Sequence, residues 1–164
     1  MNYNFKDDIQ DGEKGEAIIA EFLKGHKYEL LNDNKDNRYD LKMLNHLGNE
    51  TTLEIKTDVY CSAERDTGNM FVEKESRGKL SGISVSQADW FIMYYPNFKE
   101  AWFIKSNELR DLIEQSNFYV ATGGDQGSNT KGYLIRRETF KKYFKVKEIE
   151  AEWEMPVEEV NCCK

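Results

Sequence analysis

Two short segments with strict period-two alternation constrain the fold most: "RYDLKMLN" at residues 38–45 and "ETTLEIKT" at residues 50–57. Alternation of apolar and polar residues is typical of strands with one buried face, and "HLG" between them is typical of a tight hairpin loop. With Gly48 in the left-handed position of a three-residue loop, Asn45 pairs with Asn49. The same register predicts that Asp40 lies directly opposite Glu54.

The predicted hairpin places like charges side by side. Directly opposed residues have Cβ atoms about 4.5–5.5 Å apart, and two carboxylates at that distance destabilise a sheet unless a positive charge lies between them. Lys56 lies two residues after Glu54 and therefore on the same face. Two carboxylates and an ammonium group indicate a site for a hard divalent cation such as Mg²⁺. The alternative is an ordinary cross-strand salt bridge on the sheet surface.

A helix preceding the hairpin supplies a further acid. The segment "DGEKGEAIIAEFLK" at residues 11–24 predicts a helix with Asp11 as its cap, ended by Gly25. Glu16 lies three and four residues before Ile19 and Ala20, which puts it on the inward stripe. A carboxylate there could reach the cation through water or position a lysine. Alternatively, Glu16 lies at the polar edge of the helix.

The rest of the chain alternates strand and helix patterns, which favours an α/β fold with a central mixed β-sheet flanked by α-helices. Further strands are predicted at "NMFVEKE", "DWFIMYY", "AWFIK", "FYVA" and "YLIRR", with helices at "NELRDLIEQ" and "ETFKKYF". With 164 residues, 39% of them apolar, the chain fits a single domain. We expect that domain to cover residues 1–147, with an acidic tail at 148–164.

Charge is distributed unevenly along the chain. The net charge of −7 argues against a nucleic-acid partner, because phosphate binding normally leaves a basic footprint. However, residues 131–147 contain seven Lys and Arg and one Glu, whereas residues 148–160 contain six Glu and no base. An acidic tail beside a basic helix can fold back on it or exclude weak partners, and two oppositely charged solvated faces are the alternative.

Targeting and redox features are sparse. No apolar run exceeds the six residues of "WFIMYY", and the start "MNYNFKDD" lacks an apolar signal segment, so we expect a cytoplasmic protein with no membrane partner. Three cysteines, Cys61, Cys162 and Cys163, do not have the spacing of a zinc site. We interpret them as reduced thiols.

Glu16 on a first helix, Asp40 on a strand and "EIK" at residues 54–56 on the next strand resemble the PD-(D/E)XK nuclease superfamily, the restriction-endonuclease-like fold that includes Holliday-junction resolvases and many phage endonucleases. The likeness covers roughly residues 10–105. Tyr39 stands where the family name has proline. The resemblance implies DNA hydrolysis with Mg²⁺, for which Mn²⁺ substitutes. It also implies that Asp40, Glu54 and the Ile55 carbonyl hold the metal, while Lys56 orients the attacking water.

The segment after the hairpin carries candidate substrate contacts. In the superfamily the strand after the E-x-K motif often brings another polar residue to the active site, a role open to Glu73. The cations Lys74, Arg77 and Lys79 could bind the DNA backbone, or they are a solvated turn. The glycine-rich run at residues 123–132 lacks the phosphate-binding pattern and is interpreted as a loop near the substrate, with Lys131 as a further contact.

Three function classes remain open. The first is a Mg²⁺-dependent DNA endonuclease, for which structure-selective cleavage, RNA as the substrate and a homodimer are open alternatives. The second is a catalytically inactive module of the nuclease fold that binds nucleic acid or a protein. The third is an acidic inhibitor or DNA mimic that acts through its glutamate-rich tail.

Overall fold

The computed structural model describes residues 5–32, 38–123 and 127–153, which form a mixed α/β fold with two β-sheets. No helix among these residues is long and apolar enough to cross a membrane. Three helices are α1 (Phe5–Lys24), α2 (Ser106–Gln115) and α3 (Arg137–Phe140). The strands are β1 (Glu29–Asn32), β2 (Leu41–Leu44), β3 (Glu50–Thr57), β4 (Asn69–Ser76), β5 (Lys79–Leu80), β6 (Trp90–Tyr95), β7 (Glu100–Lys105), β8 (Val120–Gly123), β9 (Thr130–Arg136) and β10 (Lys145–Glu148).

A six-stranded mixed sheet has the order β1-β2-β3-β6-β7-β10, with β3 and β6 parallel and the other neighbours antiparallel. The predicted hairpin is confirmed, since Leu41 pairs with Leu53 and the Asn45 N–H donates to the Asn49 carbonyl at 2.9 Å. Gly48 has a φ of +82°, a conformation that favours glycine. Local turn chemistry therefore sets the register of the hairpin.

A second sheet of four antiparallel strands has the order β5-β4-β9-β8. Its strands were expected in a single central sheet, so the predicted architecture is correct only at the level of mixed α/β. The Asp66 carboxylate accepts the Gly68 N–H at 2.8 Å, and Gly68 has a φ of +74°. This turn leads into β4, which pairs with β9, a strand far along the chain. The alternation of apolar and polar residues in β4 does not identify β9 as its partner.

The hydrophobic core lies on both faces of the six-stranded sheet. On one face, Ile18 and Ile19 of α1 pack with Leu53 and Ile55. On the other face, side chains of β6 pack with β4, β9 and α2, through residues that include Met70, Val72, Phe91, Met93, Leu109 and Ile135. Because side chains alternate along a strand, Glu54 and Lys56 project from β3 toward the second sheet and away from α1.

Helix α1 starts earlier than the sequence indicated. Asp11 was expected to be its cap, but the helix begins at Phe5 and Asp11 lies inside it. A tertiary contact explains the extension, because the Tyr60 hydroxyl donates to Asp8 Oδ1 at 3.1 Å. The predicted end is correct, since the helix stops at Lys24, just before Gly25.

The basic segment is not a continuous helix. Its helical part is limited to α3 and a 3₁₀ turn at Lys141–Tyr143, while Lys131 lies on β9 and Lys145 on β10. Strand β10 runs through Glu148, and Ile149 is only 1% exposed. The first residues of the expected acidic tail are therefore part of the sheet and its core. The rest of that tail from residue 154, with Cys162 and Cys163, lies outside the described residues.

Candidate functional site

Asp40, Glu54 and Lys56 lie close together where β2 begins. Asp40 comes just before the Leu41–Leu53 pair that starts β2, and its N–H donates to the Leu53 carbonyl at 2.8 Å. Lys56 Nζ lies 2.8 Å from Glu54 Oε1. The side chain of Glu54 is 12% exposed and that of Lys56 is 42% exposed. The Lys56 side chain is therefore partly exposed to solvent, whereas the Glu54 carboxylate beside it is nearly buried.

Asp40 also fixes the backbone of β3. Asp40 Oδ2 accepts the N–H of Ile55 at 2.6 Å. The N–H and C=O groups of one strand residue face the same neighbouring strand. The Ile55 carbonyl therefore faces the Asp40 side of β3, next to the start of β2. The three predicted oxygen donors, two carboxylates and this carbonyl, are consequently directed to one region.

Ser86 holds the second oxygen of Glu54 and was not found by sequence reasoning. The buried Ser86 hydroxyl donates to Glu54 Oε2 at 3.3 Å. Arg110 of α2 donates to the Ser86 carbonyl, and the same hydroxyl accepts the Ala88 N–H at 3.2 Å. The segment "SVSQAD" shows no pattern that marks this serine. Its role follows only from the parallel placement of β6 next to β3.

Carboxylates from both sheets raise the pKa of Lys56. Partial desolvation lowers this pKa, but the charges of Glu54, Asp40 and Glu73 outweigh it. Glu73 belongs to β4, and its Oε1 accepts a hydrogen bond from the Ser81 hydroxyl at 2.6 Å. The expected approach of Glu73 to the site is therefore present in the structure, from the second sheet.

A cleft of about 420 Å³ extends from Lys56 between α1, the loop after β3 and the second sheet. The charged side chains among its described lining residues are four acids and two bases: Asp8, Asp11, Asp58, Glu73, Lys56 and Arg77. An excess of carboxylates repels a polyanion but attracts cations. A phosphate ester would approach this cleft favourably only when cations neutralise part of that charge.

Glu16 is half-buried on α1, which packs on the face of β3 opposite to Glu54 and Lys56. The neighbouring Gly15 lies so close to β3 that a Cβ atom built on it would come 1.9 Å from Thr57 Oγ1. The predicted catalytic role of Glu16 stays a prediction.

The four predicted substrate-binding cations are dispersed. Arg77 lines the cleft, with a φ of +52° and its N–H donating to the Ser128 carbonyl at 2.7 Å. Lys74 Nζ lies 5.1 Å from the ring centroid of Tyr133, which does not line the cleft. Lys131 pairs with Glu75 at 3.1 Å.

Lys79 is exposed at the start of β5, just after the turn that contains Arg77. The structure therefore does not bring the four cations together as one phosphate-binding cluster. The predicted loop at residues 123–132 is described only in part, because residues 124–126 lie outside the described residues.

Oxygen atoms near the start of β2 are the candidate ligands for a divalent cation. Within the described part of the chain there is no group of three or more His, Cys, Asp or Glu side chains placed to hold a metal ion. The set near the start of β2 is of another kind, two carboxylates with a backbone carbonyl. Hard divalent cations take such oxygen ligands, and Mg²⁺ is usually bound through one or two carboxylates while it keeps several waters. By donor type, the residues present fit Mg²⁺.

Comparison with known proteins adds no family assignment. No protein-family model, no curated protein and no solved structure matches this chain. The functional assignment therefore depends on the geometry of Asp40, Glu54 and Lys56 and on the cleft beside them.

Proposed function

We propose that this protein is a Mg²⁺-dependent nuclease of the restriction-endonuclease-like type, which hydrolyses phosphodiester bonds of DNA. The observation that carries the proposal is that the carboxylates of Asp40 and Glu54 act on Lys56, which lines a cleft. Two carboxylates at this point of the hairpin require positive charge to offset them. Lys56 supplies part of it, 2.8 Å from Glu54, and a hard divalent cation held by the same oxygens would supply more.

Asp40, Glu54 and the Ile55 carbonyl would hold Mg²⁺. When bound, the ion supplies polarisation of the phosphoryl group and a lower pKa for coordinated water. Asp40 contributes a second function, because its carboxylate accepts the Ile55 N–H at 2.6 Å and so satisfies a backbone donor of β3 next to the start of β2. Ser86 orients Glu54 from the opposite side, at 3.3 Å.

Lys56 is the residue that we expect to act on the substrate. Its ammonium group is half-exposed at the cleft opening and is held in place by Glu54. A fixed positive charge there offsets the negative charge that develops on the phosphoryl oxygens, and it orients the attacking water through hydrogen bonds. Arg77, across the cleft, is placed to bind a neighbouring phosphate of the strand.

The direct test is metal-dependent cleavage of a substrate panel. Supercoiled plasmid, linear duplex, single-stranded, flapped and four-way DNA, with a matched RNA, are incubated with Mg²⁺, Mn²⁺ or EDTA. The proposal expects cleavage with either metal and none in EDTA, and the panel ranks substrate preference. If the wild-type protein leaves every substrate intact with both metals, the nuclease assignment is wrong.

A second candidate is a catalytically inactive module that keeps this fold and binds nucleic acid or a protein. Both oxygens of Glu54 have hydrogen-bond or ion-pair partners within the protein, Lys56 and Ser86, which is also what a structural ion pair requires. This candidate predicts no Mg²⁺ uptake and no loss of binding in Glu54→Gln. Calorimetric titration of wild type and Glu54→Gln with Mg²⁺ separates the two.

A further inference from the structure

A second pocket lies on the α1 face of the six-stranded sheet, near the start of β3. It is lined by Thr51 and Leu53, whereas the cleft begins at Lys56 on the opposite face of the same strand. Its volume is about 210 Å³, and the second pocket and the cleft have no described lining residue in common. The second pocket is therefore a separate feature of the molecule.

Aromatic side chains form the walls of this pocket. They are Phe22, Tyr28, Trp90 and Phe103, and each of them is only partly buried. Phe22 and Phe103 have ring centroids 6.2 Å apart, and the His26 ring packs on Phe22 at 4.4 Å. Partly exposed rings around a small cavity offer flat apolar faces to a planar group of similar size.

Two exposed lysines of β10, Lys145 and Lys147, form one side of the pocket. Lys145 Nζ lies 5.6 Å from the ring centroid of Trp90, so the cation is adjacent to the aromatic wall. Asp and Glu are absent from the described lining residues. In a chain of net charge −7, whose main cleft is rich in acids, this is a locally basic and aromatic surface.

We propose that this pocket binds an unpaired base of a single-stranded nucleic acid, with the adjoining phosphates at Lys145 and Lys147. Proteins bind single strands by stacking bases on aromatic side chains beside a positively charged path, and both elements are present here. The inference deepens the proposed function, since it assigns substrates with a single-stranded segment to the same protein. It also gives a role to the basic segment at residues 131–147, which the cleft leaves largely unused.

The first test measures binding by fluorescence anisotropy with a labelled oligothymidylate in EDTA, so that cleavage plays no part. Lys145→Ala/Lys147→Ala is compared with Lys141→Ala/Lys142→Ala, which removes the same charge from the 3₁₀ turn at Lys141–Tyr143. We expect the first variant to weaken binding at least about fivefold and the second less than about twofold. Equal effects, or no binding by the wild type, overturn the proposal.

The second test separates stacking from charge. A base-free phosphodiester oligomer of equal length should bind at least about fivefold more weakly than oligothymidylate, and only the latter should quench Trp90 fluorescence, a signal lost in Trp90→Phe. Equal affinity of the two oligomers overturns the proposal. A concentration-dependent dimer that Lys145→Ala/Lys147→Ala abolishes does so too, because a second copy would then occupy the pocket.

Failure of this inference is distinguishable from failure of the nuclease assignment. Glu54→Gln should abolish cleavage and retain wild-type affinity for oligothymidylate in EDTA, because the pocket lies on the other face of β3. Conversely, a wild-type protein that cleaves duplex DNA but does not bind oligothymidylate would overturn this inference and leave the nuclease assignment intact.

Discussion

Lys56 Nζ and Glu54 Oε1 lie 2.8 Å apart on one face of β3, although only Ile55 separates the two residues in sequence. If this pair is catalytic, Lys56→Met should lower the rate of metal-dependent DNA cleavage by at least about a hundredfold, because a fixed charge facing the phosphoryl group is lost. Gel-based cleavage of plasmid DNA with Mg²⁺ measures the effect.

The same hairpin provides a matched control. Lys42 Nζ and Glu50 Oε2 form an exposed ion pair at 2.6 Å, away from the cleft. Lys42→Met removes the same charge and a similar ion pair, so it should leave the cleavage rate within about twofold of that of the wild type. Its effect on the free energy of unfolding should be small, because a surface ion pair contributes at most about 1 kcal/mol. Equal loss of activity in Lys42→Met and Lys56→Met would mean that net charge, rather than position, is responsible.

Ser86→Ala should lower kcat about fivefold without changing KM for DNA. The substitution removes the 3.3 Å bond to Glu54 Oε2, and hydrogen bonds to charged groups are worth about 1.5–3 kcal/mol at most. Steady-state cleavage kinetics separates the two constants, and a thermal melt of the same sample reports any loss of stability. Unchanged kcat would show that Lys56 alone is sufficient to hold Glu54.

Gly15→Ala should destabilise the protein by about 2 kcal/mol or more, since the added Cβ would lie 1.9 Å from Thr57 Oγ1. Gly12→Ala is the control in the same helix. A Cβ atom built on Gly12 would contact no other heavy atom within 4 Å. Because alanine has a higher helix propensity than glycine, Gly12→Ala should stabilise the protein by up to about 1 kcal/mol. Urea unfolding measures both, and partial rescue by Thr57→Ala would confirm that the clash is the cause.

Asp66 should give a pH-dependent contribution to stability. The Gly68 N–H, and then the Arg137 guanidinium, hold the pKa of the Asp66 carboxyl below its usual value. A carboxyl whose pKa is lowered by folding stabilises the protein above its unfolded pKa, and this contribution is lost as the pH falls through the folded pKa. Wild type should exceed Asp66→Asn by about 1 kcal/mol at pH 7, and the difference should shrink below about pH 4.

The measurement for Asp66 is the free energy of unfolding from urea titrations between pH 3 and pH 7. Asp111→Asn, which removes an exposed acid of α2, is the control for the loss of one surface charge. A difference between wild type and Asp66→Asn that stays constant down to pH 3 would contradict the assigned direction.

Removal of residues 154–164 should leave metal-dependent cleavage unchanged or higher, because these residues carry acidic charge that opposes DNA. The truncation must stop after Trp153, since Ile149 is in the core and Lys99 Nζ pairs with Glu152 at 2.6 Å. Loss of all activity in a truncated protein with a wild-type melting temperature would favour the acidic-mimic alternative. Plasmid cleavage and a DNA-competition assay distinguish these results.

The hairpin and its acids were predictable because their determinants are local. The side-chain oxygen of Asn45 accepts the N–H groups of Leu47 and Asn49, and Gly48 has a positive φ, so the loop sets the register from Leu44–Glu50 to Leu41–Leu53. Once the register is set, strand alternation gives the position of Lys56.

The remaining features depend on contacts between distant segments. Ser86 reaches Glu54 only because β6 lies parallel to β3, and Glu73 reaches the cleft only because β4 joins β9 in a second sheet. An alternating pattern identifies a strand but does not choose its partner. The strand at Lys145–Glu148 was missed for a related reason, since its lysines suited an exposed helix equally well.

The parallel pairing of β3 with β6 has a kinetic consequence. The two strands are joined by residues 58–89, which include β4 and β5. The chain must lose the conformational entropy of this long connection before Ile55 and Ile92 can pair. Pairings between such distant segments slow folding for this reason. We expect refolding to be limited by the joining of β3 and β6, so that Ser86 reaches Glu54 only in the last and slowest step.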